Sequence, residues 1–110
     1  MIQLSKLELM FEGMRATPGW NPDGPLLWGY FFTDPDQSLL RRAAAILSSE
    51  GYSFVGIHKT ADGQSSFLHV ERVEAHSAQT LYARNEGLEQ FAAEFGLERY
   101  DGMDVGPIPS

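Results

Sequence analysis

The sequence predicts an α+β chain of the ferredoxin-like class: a βαββαβ unit whose two helices cover one face of a four-stranded antiparallel sheet, with an additional N-terminal helix. Three observations predict it. Apolar periodicity changes along the chain in the order helix, strand, helix, strand, strand, helix; cap and turn residues stand at the boundaries; and the closing segment, Leu97–Ser110 (LERYDGMDVGPIPS), has room for a short edge strand around Met103–Val105 before two prolines end any ladder.

The first helix is read over Ile2–Arg15, where Leu4, Leu7, Met10, Phe11 and Met14 recur at steps of three and four. Gly13 marks its expected end, and residues 1–16 are assigned to this unit. Thr17–Pro25 (TPGWNPDGP) holds three prolines and two glycines, which fix or free φ in ways that neither helix nor ladder tolerates, so residues 17–25 are a loop. The core is expected over residues 26–107. It opens with Leu26–Thr33 (LLWGYFFT), an aromatic run between Pro25 and Asp34-Pro35 that has the pattern of a central strand buried on both faces. Asp34 is placed to accept from the unpaired N–H groups of a helix's first turn, and Pro35, lacking an N–H, suits the first helical position. That helix is expected over Pro35–Glu50, with Leu39, Ala43, Ile46 and Leu47 as its apolar stripe and Gly51 as its left-handed stop.

Tyr52–Lys59 (YSFVGIHK) and Ser65–Glu74 (SSFLHVERVE) read as two strands joined at Ala61-Asp62-Gly63-Gln64, with Asp-Gly at the hairpin turn. Pairing about that turn sets His58 opposite Phe67 and Val55 opposite Val70. Alternation then directs Val55, Ile57, Leu68 and Val70 toward the helices and Tyr52, Phe54, His58, Phe67, His69 and Glu71 toward the other face. The N-terminal helix, with its apolar stripe and long connecting loop, is expected to cover that second face. Ser77 caps the last helix, whose Leu81, Leu88, Phe91, Ala92 and Phe95 share a side and whose stop is Gly96.

Composition narrows the function. At 110 residues the chain lies well below the roughly 250 at which single cores stop growing, so one domain, residues 1–110, is expected. Without cysteine there is no disulfide scaffold, thiolate metal site or cysteine nucleophile. The longest apolar run, Pro25–Phe32, is far short of the roughly 20 residues of a membrane span, and MIQLSKLELMFEGMR lacks the order of a signal peptide, so a cytoplasmic protein is expected. A net charge of −7 disfavours direct nucleic-acid binding and favours a protein partner with a basic surface.

Three chemistries have candidate residues in the chain. His58 and His69 fall diagonally across the hairpin with no third ligand at a recognisable spacing, so half-exposed sheet histidines are preferred over a zinc site. Asp101 and Asp104 in YDGMDVG form a carboxylate pair with flexible glycines, yet nothing in the sequence divides acid from base roles between them, and Asp-Gly reads as a turn. Tyr52, Phe54 and Phe67 supply rings for base stacking without the cationic surround that RNA requires. No catalytic residue, metal or cofactor is assigned. The most acidic stretch carries Glu86, Glu89, Glu94, Glu98, Asp101 and Asp104 against Arg99 alone, and with Tyr100 these residues are the expected protein-binding surface.

The stretch Trp28–Pro107 resembles the regulator of ribonuclease E activity B family, small acidic bacterial proteins with a ferredoxin-like fold. The resemblance is carried by the strand GYFFTD, a helix ending at EGY, a strand-turn-strand unit, a long final helix, and the Tyr-Asp-Gly-Met turn at Tyr100–Met103. It implies a noncatalytic protein that binds an endoribonuclease of the ribonuclease E type and restrains its cleavage of RNA. An immunity-type protein that neutralises a basic toxin is the alternative within the same class, and a small enzyme using Asp101 and Asp104 or His58 and His69 the alternative outside it. A monomer is expected, with a homodimer as the competing assembly.

Overall fold

The computed structural model describes residues 2–109. Seven elements follow one another: α1 (Leu4–Ala16), β1 (Leu26–Asp34), α2 (Gln37–Ser49), β2 (Ser53–Lys59), β3 (Ser66–Glu74), α3 (Ala78–Phe95) and β4 (Arg99–Gly106). The strands form one antiparallel sheet in the order β2-β3-β1-β4, which is the ferredoxin-like arrangement behind an N-terminal helix. β1 is central, as its aromatic run predicts. Trp28, Tyr30 and Phe32 alternate onto one face and are 0% exposed, meeting Leu68 and Val70 of β3 and the buried sides of the helices.

The helix ends are set by local chemistry. Asp36, not Asp34, caps α2, accepting from the backbone N–H groups of Ser38 and Leu39. Asp34 stays in the strand, and its two carboxylate oxygens accept instead from the N–H groups of Asp36 (2.8 Å) and Glu98 (2.9 Å). The expected cap therefore moves two residues on. Gly51 (φ +101°) stops α2 with its N–H on the Ser48 carbonyl and the Tyr52 N–H on the Leu47 carbonyl; Gly96 (φ +85°) and Leu97 do the same for α3 on Ala93 and Ala92. The α2 stripe is also rotated from expectation: Leu40, Ala43, Ala44 and Leu47 are buried, while Ile46 is 40% exposed.

Two irregularities in the ladders decide which side chains share a face. β2 carries one extra residue, Val55, between the Phe54–Val70 and Gly56–His69 pairs, so the expected Val55–Val70 pairing does not form. The bulge sends Tyr52 to the helix side, where it is buried edge-to-face on Tyr30 at 5.9 Å, and leaves Phe54 and Val55 53% and 44% exposed at the sheet margin. Beyond the bulge the expected register holds, with His58 opposite Phe67.

α1 lies on the helix side of the sheet rather than across its other face. It packs beside α3, buries Leu7 and Phe11, and sets Phe11 against Trp28 with ring centroids 6.0 Å apart. It also runs past Gly13 to Ala16. Its apolar stripe finds a partner, but the strip of core beside α3 offers the larger fully apolar surface, whereas the opposite face presents Glu71, His58, His69 and Asp104. Among the described residues all three helices therefore form one layer, and the other face of the sheet carries none.

Candidate protein-binding surface

The acidic stretch of the sequence folds as the second half of α3 and the edge strand β4. α3 starts with a capping box, in which the Ser77 hydroxyl accepts from the Thr80 N–H and the Thr80 hydroxyl accepts from the Ser77 N–H. One turn earlier the chain is pinned from β3. Glu74 accepts from the Arg84 guanidinium at 2.6 and 3.1 Å, from His76 Nε2 at 2.8 Å and from the Tyr30 hydroxyl. Burial by itself would raise the Glu74 carboxyl, but the hydrogen bonds from His76, Arg84 and Tyr30, with the Arg84 charge, outweigh it and hold the group down at about 2. Burial and the adjacent carboxylate push the Tyr30 hydroxyl far above its ordinary range.

β4 is a strand over its whole length where a turn is expected at Tyr100–Met103. The reason is a second bulge. Tyr100 pairs with Phe32 and Met103 with Tyr30, so Asp101 and Gly102 together face the single residue Phe31, and Gly102 takes a left-handed φ of +100° that glycine adopts without strain. In a regular strand, residues three apart point to opposite faces. The extra residue cancels that alternation: Tyr100 and Met103 both turn inward, and Asp101 and Asp104 both turn outward. Inward, the Tyr100 hydroxyl donates to Asn85 Oδ1 at 2.6 Å, and the Asn85 amide reaches Met103 Sδ at 3.6 Å. Burial, then the neighbouring Tyr52 and Glu89, push the Tyr100 hydroxyl well up. Outward, Asp101 accepts from the Thr33 hydroxyl, and Asp104 reaches over Gly29. The Tyr-Asp-Gly-Met-Asp run thus alternates one latch to α3 with one surface carboxylate, twice.

This geometry divides the expected binding residues. Glu89, Tyr100 and Asp101 meet at an open cavity of about 370 Å³ that Lys6 of α1 also lines. Glu86 and Glu94 stand exposed on α3, with Glu94 accepting from Gln90. Glu98 and Asp101 share the Arg99 guanidinium at 3.0 and 3.3 Å, which offsets part of their charge. Asp104 lies on the opposite face from the α3 carboxylates. Asn85 and Lys6 were not visible as site residues: Asn85 sits in the apolar stripe of α3, and Lys6 approaches β4 through the placement of α1. His69, half-buried, stacks on Phe31 at 4.4 Å and His58 stands exposed beside Phe67; among the described residues no three of His, Cys, Asp or Glu gather into a metal-holding set.

The family model for regulator of ribonuclease activity B matches residues 8–105, from within α1 to the penultimate residue of β4. The chain belongs to the RraB family. No curated protein matches it. The RraB match takes in most of α1, so the N-terminal helix, which the resemblance over Trp28–Pro107 leaves out, is part of the family unit. No helix of the described residues is long and apolar enough to cross a membrane.

Proposed function

We propose that this RraB-family chain is a noncatalytic cytoplasmic regulator that binds an endoribonuclease of the ribonuclease E type and lowers its cleavage of RNA. The match to a family described as a regulator of ribonuclease activity carries this reading. Charge supports it: a chain at −7 meets a phosphate-binding surface with the sign of the substrate that surface is built for. The contact surface runs from Glu86, Glu89 and Glu94 on α3 around the β4 edge to Glu98, Tyr100, Asp101 and Asp104. Carboxylates seated on a basic RNA track exclude RNA by competition, without chemistry of their own. Titrating the protein into the nuclease during cleavage of a defined RNA tests this. The expected result is a rise in KM for RNA at unchanged kcat, weakening as salt is added. Replacing Glu86 and Glu94 by Lys is expected to weaken inhibition about tenfold through loss and reversal of rim charges. An unchanged cleavage rate at large molar excess overturns the reading.

A further inference from the structure

The helix-free face of the sheet holds a feature that the acidic α3–β4 surface does not explain. Gly29 sits in the middle of β1 with Glu71 of β3 directly opposite on one side and Asp104 of β4 directly opposite on the other. Its φ is not positive, so backbone conformation does not require glycine there. What glycine supplies is space. A Cβ at this position would lie 2.3 Å from Asp104 Oδ1 and 2.7 Å from His69 Nε2, so the missing side chain is what lets these two polar groups lean over one Cα. Among the described residues neither the Glu71 nor the Asp104 carboxylate has a hydrogen-bond or ion-pair partner.

Rings lie along the next rows of the same face. His69 stacks on Phe31 at 4.4 Å with planes 22° apart, Phe31 meets Phe67 at 6.1 Å, and Phe67 meets His58 at 5.5 Å. Phe31 and Phe67 are half-buried, leaving ring surface in solvent beside two carboxylates.

We propose that this face docks an arginine-bearing segment of the protein partner, with a guanidinium lying outside the Asp104 and His69 groups that cover Gly29, against the Phe31 and His69 rings and hydrogen-bonded to Asp104 and Glu71. Charge complementarity selects the occupant. A guanidinium is planar, stacks on rings, and offers paired donors to carboxylates, whereas an ammonium has no flat face to stack and a phosphate is repelled by both acids. The inference rests on the proposed function in taking the partner to be a protein with a basic surface, and it names the residue type that surface must present.

The test is amide-resolved NMR on the full chain, titrated with a capped Gly-Arg-Gly-Arg-Gly peptide, the matching lysine peptide, and single-stranded oligouridylate. With the arginine peptide, shifts are expected at Gly29, Phe31, His69, Glu71 and Asp104, with affinity about tenfold above that of the lysine peptide. Gly29→Ala is the sharpest variant. Its methyl meets the Asp104 carboxylate and the far end of the His69 ring, side chains and not backbone, so the chain stays folded while both groups are pushed off the site and arginine affinity drops about tenfold. If Gly29→Ala unfolds the chain, Asp104→Asn with Glu71→Gln is expected to give the same loss. Equal affinity for the two peptides, shifts centred on α3, shifts of these amides by oligouridylate, or self-association through them would each overturn the proposal. Nuclease inhibition is read separately: inhibition without arginine binding sinks this inference alone, and arginine binding without inhibition sinks the proposed function alone.

Discussion

Glu74 shows how one side chain ties a strand to a helix. Its carboxylate joins β1 through Tyr30, the β3–α3 connection through His76, and α3 through Arg84, while the Arg84 and Arg72 guanidiniums lie over the Tyr52 ring at 5.7 and 5.2 Å. A group held at about 2 against an ordinary 4.5 contributes stability that is fully present above 4.5 and is lost as pH falls through 2. Glu74→Gln is therefore expected to cost about 2 kcal/mol at neutral pH, less than the full shift implies because the pair is not wholly buried. Urea denaturation at neutral pH and again near pH 3 checks it: the gap between the two proteins narrows in acid. None of this network was readable in the sequence. Glu74 looks like a strand-end charge, and its partners come from β1, α3 and the β3–α3 connection, whose meeting depends on the register of β1 on β3. Asp101 and Asp104 were readable as a pair, but their common orientation follows from the bulge at Gly102 and not from their spacing.

At the scale of elements, order and type followed from periodicity and caps, except that β4 runs through the Tyr100–Met103 stretch read as a turn. Boundaries moved where two residues competed for one role. Asp34 and Asp36 both suit a helix cap; Asp36 takes it because Asp34 is needed where β1 ends beside the start of β4. This makes the two aspartates unequal. Asp36→Ala loses a first-turn cap, about 1 kcal/mol. Asp34→Ala leaves the N–H groups of Asp36 and Glu98 without their partner in a part-buried setting and is expected to cost about 2 kcal/mol. Thermal melts of the two variants compare them directly, and equal losses would show that the α3–β4 connection does not depend on Asp34. The bulges at Val55 and Gly102 were beyond sequence reading for a different reason: each is a mismatch between two strands, and alternation within one strand carries no record of it.

For the whole molecule, the N-terminal helix is the element that the sequence reading put on the wrong face of the sheet. Its stripe announces a buried face without saying which surface receives it, and the apolar strip beside α3 won over the charged sheet face. Phe11 and Leu7 are 1% exposed, so Phe11→Ala is expected to cost about 3–5 kcal/mol, and removal of residues 2–16 to uncover the edge of Trp28 and the α1 side of α3. The shortened chain should bind a hydrophobic dye and self-associate in light scattering; if it stays compact, monomeric and dye-free, α1 is dispensable to the core.

A sheet with all its helices on one side separates two kinds of selection. Substitutions on the inner face, at Tyr30, Phe32, Leu68 or Val70, are judged by whether the chain folds. Those at Leu27, Phe31, His69 and Asp104 are judged chiefly by what the surface meets, because little of the core leans on them. Changes on the outer face thus leave the scaffold beneath it standing. The Tyr100 and Met103 latches make this possible even within one strand, since each holds β4 to α3 while the aspartate next to it is left to vary.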